Sequence, residues 1–182
     1  MLAAEKQFQI SLEISREIDD KEGIIENSWY LAEILRNRSE LPEALSLLQH
    51  ALHLCETYKL SRFIASIRTD LALCLIQSGT AIEKVLKHLK SARKSKNENE
   101  KALPDLYWKW SKIYTAISGN SNLLPDDKEL YRKKAAEWKK TAKDEILRAA
   151  NRIQSEDFRQ SFLNQIPLHR TILSAFVTEP LQ

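Results

Sequence analysis

The segment His50-Ala51-Leu52-His53-Leu54-Cys55 places two imidazoles and a thiol within one short stretch. On a helix, His50 and His53 are three apart and share a face, as a two-imidazole metal site requires. Cys55 falls on a different side, and no carboxylate completes a ligand set. The pair therefore reads as surface histidines, with no metal. His88 and His169 are isolated and read as structural or merely exposed. The sequence holds no Gly-rich phosphate loop, no His-Glu-x-x-His motif and no cysteine pair at zinc spacing. With no catalytic constellation, it reads as a non-enzyme without a cofactor.

The other chemistry on offer is electrostatic. Lys84, Lys87, His88, Lys90, Arg93, Lys94 and Lys96 recur every three or four residues, and Lys133, Lys140 and Lys143 form a second stripe. Such stripes suit phosphate contacts, and Trp or Tyr nearby suit base stacking. The net charge of +3 is unevenly spread: residues 1–80 sum to −4, residues 81–148 to +7, and residues 149–182 to zero. That asymmetry fits an acidic partner or nucleic acid. Glu83, Glu137, Asp144 and Glu145 oppose the stripes, however, and favour a solvated outer face. Nucleic acid is therefore placed behind protein binding.

No apolar run approaches the ~18 residues that a membrane span needs. Acidic residues interrupt the N-terminal apolar positions, so no signal peptide is read. These features point to a cytoplasmic protein without a membrane partner. Cys55 and Cys74 lie on separate apolar segments and read as buried thiols.

The elements that must position these residues are helices. With 3 Gly and 5 Pro in 182 residues, the composition favours helix almost throughout. A self-similarity about 40 residues apart organises them. Leu31, Ala32 and Leu35 recur as Leu71, Ala72 and Leu75, while Ala44, Leu48 and Ala51 recur as Val85, Leu89 and Ala92. A helix pair repeated at such a period is the signature of an all-α solenoid. Apolar spacing predicts helices over 2–18, 23–37, 41–58, 61–77 and 81–94. Another starts near Pro104, and three more cover 127–154, 156–164 and 168–176. The polar stretch Lys96 to Lys101 separates the second and third units. The connection 118–127, with Gly119, Asn120 and Pro125, predicts a longer exposed loop. The expected organisation is a half-repeat helix over 1–20, three helix pairs over 21–154, and a helical cap and tail over 155–182.

These positions resemble the tetratricopeptide repeat, whose first helix carries a Trp, a Leu-Gly and a Tyr, and whose second carries Ala, an aromatic and Ala. Leu31-Ala32, Leu35, Ala44, Leu48 and Ala51 fit one unit, with Ser28 where the Trp would stand. Leu71-Ala72, Leu75, Val85, Leu89 and Ala92 fit the next, with Arg68 at that place. Tyr107, Trp110-Ser111 and Tyr114 are similar in a third. The longer period looks like the repeats of large bacterial signalling ATPases, cyclases and transcription activators. The stretch Asp157 to Leu163, continuing to Ile166-Pro167, is similar to the segment that often ends such arrays.

The resemblance implies a right-handed α-helical solenoid of antiparallel helix pairs with a concave groove. Its lining would be Glu26, Trp29, Glu33 and Arg36, then Ser66, Thr69, Leu73 and Ile76, then Asp105, Trp108, Lys112 and Thr115. Trp29 and Trp108 would be aromatic anchors, against the alternative that both pack on neighbouring helices. The implied function is noncatalytic: a scaffold binding a protein or peptide segment, or another domain of its own chain, as a regulatory part of a signalling protein. Residues 2–18 look like the second helix of a repeat whose first is missing, so a C-terminal piece of a larger protein is expected. A natural N-terminal cap helix is the alternative. A homodimer through exposed apolar residues near Phe8 and Leu12 is the first rival reading.

Overall fold

A computed structural model describes residues 2–95 and 104–176, and the polar stretch Lys96 to Lys101 lies outside them. Among the described residues all regular structure is helical. The chain forms two compact units, Met1–Glu100 and Lys101–Gln182.

The first unit contains α1 (Leu2–Glu17), α2 (Lys21–Asn37), α3 (Leu41–Thr57), a 3-10 turn (Ser61–Phe63), α4 (Ile64–Gln77) and α5 (Ile82–Ser95). Each helix packs on its neighbour in sequence, and α2 also touches α4. Asp20 starts α2 earlier than its apolar pattern suggests, because its Oδ1 accepts the Gly23 N–H at 3.1 Å. That cap is worth about 1 kcal/mol.

The turns between these helices repeat. Asp19, Ser39, Lys59 and Gly79 all have positive φ, between 56° and 71°. After each comes an N–H that donates five residues back: Asp20 to Ser15 O, Glu40 to Leu35 O, Leu60 to Cys55 O and Thr80 to Leu75 O, all at 2.9–3.0 Å. This is the Schellman ending, in which a left-handed residue lets the chain satisfy the helix's last carbonyls. The same ending thus recurs every 20 residues, half the sequence period. Only Gly79 is free of the Cβ penalty for that conformation. Lys59→Gly should therefore raise stability by about 0.5–1 kcal/mol, the relieved strain exceeding glycine's extra freedom in the unfolded chain. Urea denaturation measures it, and a loss of stability would count against the turn geometry.

Packing follows the repeat. Leu31, Ala32, Ala44, Leu48 and Ala51 are buried, and so are their counterparts Leu71, Ala72, Val85, Leu89 and Ala92. The small residues let helices approach closely, and the leucines fill the space between them. The main cluster runs from Ile25 through Leu48 and Cys55 to Ile67 and Leu71. A smaller one joins Leu12 to Ile24 and Leu31, with Phe8 packed on it. Phe8 also stacks on Tyr30 at 4.9 Å. The large apolar residues left exposed are instead Ile10 and Ile14 on α1 and Ile18 just after it. They are spaced four apart, on the side away from that cluster.

The second unit contains α6 (Pro104–Ser118), α7 (Pro125–Ala150), α8 (Glu156–Asn164) and α9 (Pro167–Ser174). The helix α6 packs along α7, and α9 packs on α7 and α8. The loop is shorter than expected, 119–124, because Pro125 belongs to the first turn of α7, where its missing N–H costs nothing. Trp110, Ile113, Ile117, Ala142 and Ile146 are buried in this unit's core. Ser155 caps α8 by accepting the Phe158 N–H, and His169 is tied to the Phe162 carbonyl at 2.8 Å.

Candidate functional site

Helical spacing sets Glu26, Trp29, Glu33 and Arg36 along one side of α2. Glu26 is exposed and the other three are half-buried. The Trp29 indole Nε1 donates to Asp70 Oδ2 at 2.7 Å, joining α2 to α4. Its ring lies nearly parallel to Tyr30 at 5.5 Å, and Tyr30 stacks on Phe8, so an aromatic row runs from α1 onto α2. Glu33 and Arg36 form an ion pair at 3.6 Å. The result is an aromatic ring fixed at its polar edge, with a carboxylate and a guanidinium a turn or two further along.

On α4 two of the expected groove residues do not present a surface. Thr69 is fully buried, its hydroxyl donating to the Ala65 carbonyl at 2.8 Å, and Leu73 is buried as well. The cause is α4 itself: Ala65, Ile67, Thr69, Asp70, Leu71, Ala72, Leu73 and Cys74 are all buried, and a helix apolar on every side is covered on every side. Ser66 and Ile76 remain half-buried. Asp70 is the residue that the sequence reading missed. Its signal was a lone carboxylate inside the apolar run from Thr69 to Cys74, since a buried acid needs partners.

In the second unit, α6 carries Trp108 half-buried, with Lys112 Nζ 5.6 Å from its ring centroid. That is a cation–π pair one turn apart. Thr115 is exposed, and its hydroxyl donates to the Ser111 carbonyl at 2.9 Å. Asp105 pairs with Lys109 at 3.0 Å. Both units therefore offer an aromatic residue with charged neighbours.

His50 and His53 are exposed on α3. Among the described residues no three His, Cys, Asp or Glu side chains group to hold a metal. Cys55 and Cys74 are buried thiols. Burial, with the nearby Glu56 charge, pushes the Cys55 thiol up to about 11. It stays protonated at neutral pH and is a poor nucleophile. Because the folded value lies above the unfolded one, its contribution to stability is present below about pH 9 and is lost toward pH 11. The basic residues Lys84, Lys87, Lys90, Arg93 and Lys94 line the exposed side of α5, with His88 half-buried among them, while Lys96 lies outside the described residues. On α7, Lys133 and Lys140 are exposed, whereas Lys143 sits 4.4 Å from the Phe176 ring centroid. Among the described residues no helix is long and apolar enough to cross a membrane.

Comparison with protein-family models, with curated proteins and with solved structures gives no match.

Proposed function

We propose that the chain is a noncatalytic interaction scaffold, a solenoid of tetratricopeptide-like antiparallel helix pairs. It binds a protein segment, or another domain of its own chain, through a surface that each unit offers by itself, α2 in the first and α6 in the second. The observation that carries this reading is the recurrence of one helix ending every 20 residues, with the same apolar set buried at a spacing of 40. Modules that stack on their neighbours spend one face on packing and leave another for a ligand. Trp29 and Trp108 supply anchors of the type that dominates protein interfaces. In a signalling protein such a scaffold would hold an output domain until a partner displaced it.

Selection of displayed random peptides on the purified chain tests this. A selected peptide should bind Trp29→Ala or Trp108→Ala at least tenfold more weakly, with helical circular dichroism unchanged. Equal binding to wild type and both variants would sink the proposal.

Self-association is the second reading, favoured by the exposed stripe of Ile10 and Ile14 on α1 and Ile18 just after it. A concentration-independent dimer by light scattering that Ile14→Glu dissociates would place it first.

A further inference from the structure

One cavity in the first unit has a basic lining that the proposed peptide surface does not use. It measures about 580 Å³ and is walled by Leu45 and Gln49 of α3, by Arg68, Leu71 and Leu75 of α4, and by Lys84, Lys87 and His88 of α5. The spacing explains how three helices build it. Residues 45 and 49 share one face of α3, residues 68, 71 and 75 one face of α4, and residues 84, 87 and 88 one face of α5.

The charged groups in this lining are all basic. Lys84 and Lys87 are exposed at its rim, Arg68 and His88 are half-buried, and Leu71 is buried. Arg68 Nη2 pairs with Glu56 Oε1 at 2.7 Å, and Glu56 is itself outside the lining. That pair leaves Arg68 Nε buried without an acceptor, and His88 Nδ1 is buried with no hydrogen-bond partner. Buried polar groups without hydrogen-bond partners are costly, and native proteins leave few of them. Burial first, then the Arg68 and Lys87 charges, hold His88 below its ordinary value. Guanidinium and ammonium groups converging beside an apolar wall suit a doubly charged oxyanion attached to a carbon skeleton.

We propose that this cavity binds a phosphorylated small molecule, its phosphate held by Arg68, Lys84, Lys87 and His88 and its apolar part against Leu45, Leu71 and Leu75. The site involves none of the residues assigned to peptide binding, so it stands or falls separately from that function. Its position across α3, α4 and α5 means that an occupant would tie the two helix pairs of the first unit together.

The full chain labelled in its histidines provides the test. Inorganic phosphate and phenyl phosphate are titrated separately by NMR at pH 7.5, with sodium chloride holding ionic strength constant. The His88 signals should shift saturably, and the pH at which His88 titrates should rise by about one pH unit when phosphate is bound. His50, His53 and His169 should not respond saturably. Phenyl phosphate should bind at least several-fold more tightly than phosphate because of the leucine wall. Lys87→Ala, a change at an exposed position, should weaken binding at least tenfold, and Lys87→Arg should restore most of it. Lys140→Ala on α7 should have no effect. A His88 response that grows linearly with phosphate, that sulfate and chloride reproduce equally, or that survives Lys87→Ala overturns the proposal. So does saturation by an acidic peptide with none by either phosphate compound.

Discussion

Trp110→Ala is expected to lower the stability of the second unit by about 3–5 kcal/mol, the usual cost of removing a large aromatic side chain from a packed core. Trp110 is 1% exposed. It meets Trp138 edge-on at 4.7 Å and Tyr107 edge-on at 5.5 Å, while Tyr107 and Trp138 lie nearly parallel at 5.3 Å. The three rings thus form a closed set bridging α6 and α7. Edge-to-face geometry adds about 0.5–1.5 kcal/mol per pair beyond simple burial, so deletion removes both surface and oriented contacts. Ile113, Ile117 and Ile146 in the same unit are fully buried in helices, and a core of this kind relaxes only partly around a deletion.

Because domains are stable by only about 5–15 kcal/mol in total, this loss is a large part of what the unit has. Urea unfolding followed by circular dichroism should show a lower midpoint, and hydrogen exchange should show faster opening of α6 and α7 amides. Trp110→Phe keeps an aromatic ring against Trp138 and should lose less than half as much. A loss below about 1 kcal/mol for Trp110→Ala would mean that the ring is not the keystone its burial indicates.

Much of the helix layout was legible in the sequence because burial repeats with helical periodicity, and the 40-residue self-similarity marks positions that the structure buries in pairs. The 20-residue half-period was not legible. Of the four left-handed residues that end helices, three are Asp19, Ser39 and Lys59, and only Gly79 carries the usual turn signal. Their conformation comes from the hydrogen-bonded ending and from packing beyond it, which override local preference. Helix starts shifted for a similar reason, since Asp20 and Pro125 act at the helix ends while apolar spacing reports the middle.

The surface residues were harder to read. Trp29, Glu33 and Arg36 on α2 keep part of their surface, as an amphipathic pattern suggests. Thr69 and Leu73 do not, because α4 is packed on several sides and its own composition was the available warning. The Trp29–Asp70 bond and the basic cavity depend on how separate helices are set against each other. Residue spacing within one helix carries no direct information about that.

Replacing Asp70 tests the best-defined link between the repeated helices. Asp70 is 1% exposed and accepts the Trp29 indole N–H across the α2–α4 contact. Asp70→Ala is expected to cost about 1–3 kcal/mol, since the indole donor loses its acceptor across a largely buried contact. Asp70→Asn keeps an oxygen of similar reach and should cost less. Asp70 belongs to a wider set of interactions, so neither single variant isolates the Trp29 bond. A double-mutant cycle of Trp29→Phe with Asp70→Ala does, because both changes remove the bond and effects that Asp70 has elsewhere cancel. The expected coupling is about 1 kcal/mol, measured by chemical denaturation. Coupling below about 0.3 kcal/mol would mean that solvent serves the indole as well as the carboxylate does. The outcome also bears on binding. If Asp70 fixes the Trp29 ring as an anchor, a selected peptide should bind Asp70→Ala more weakly although Asp70 itself is buried. The change should appear mainly as faster dissociation, because affinity differences within one interface fall mostly on that rate. A peptide indifferent to Asp70→Ala, while still sensitive to Trp29→Ala, would show that the ring contributes through its area alone and needs no fixed edge.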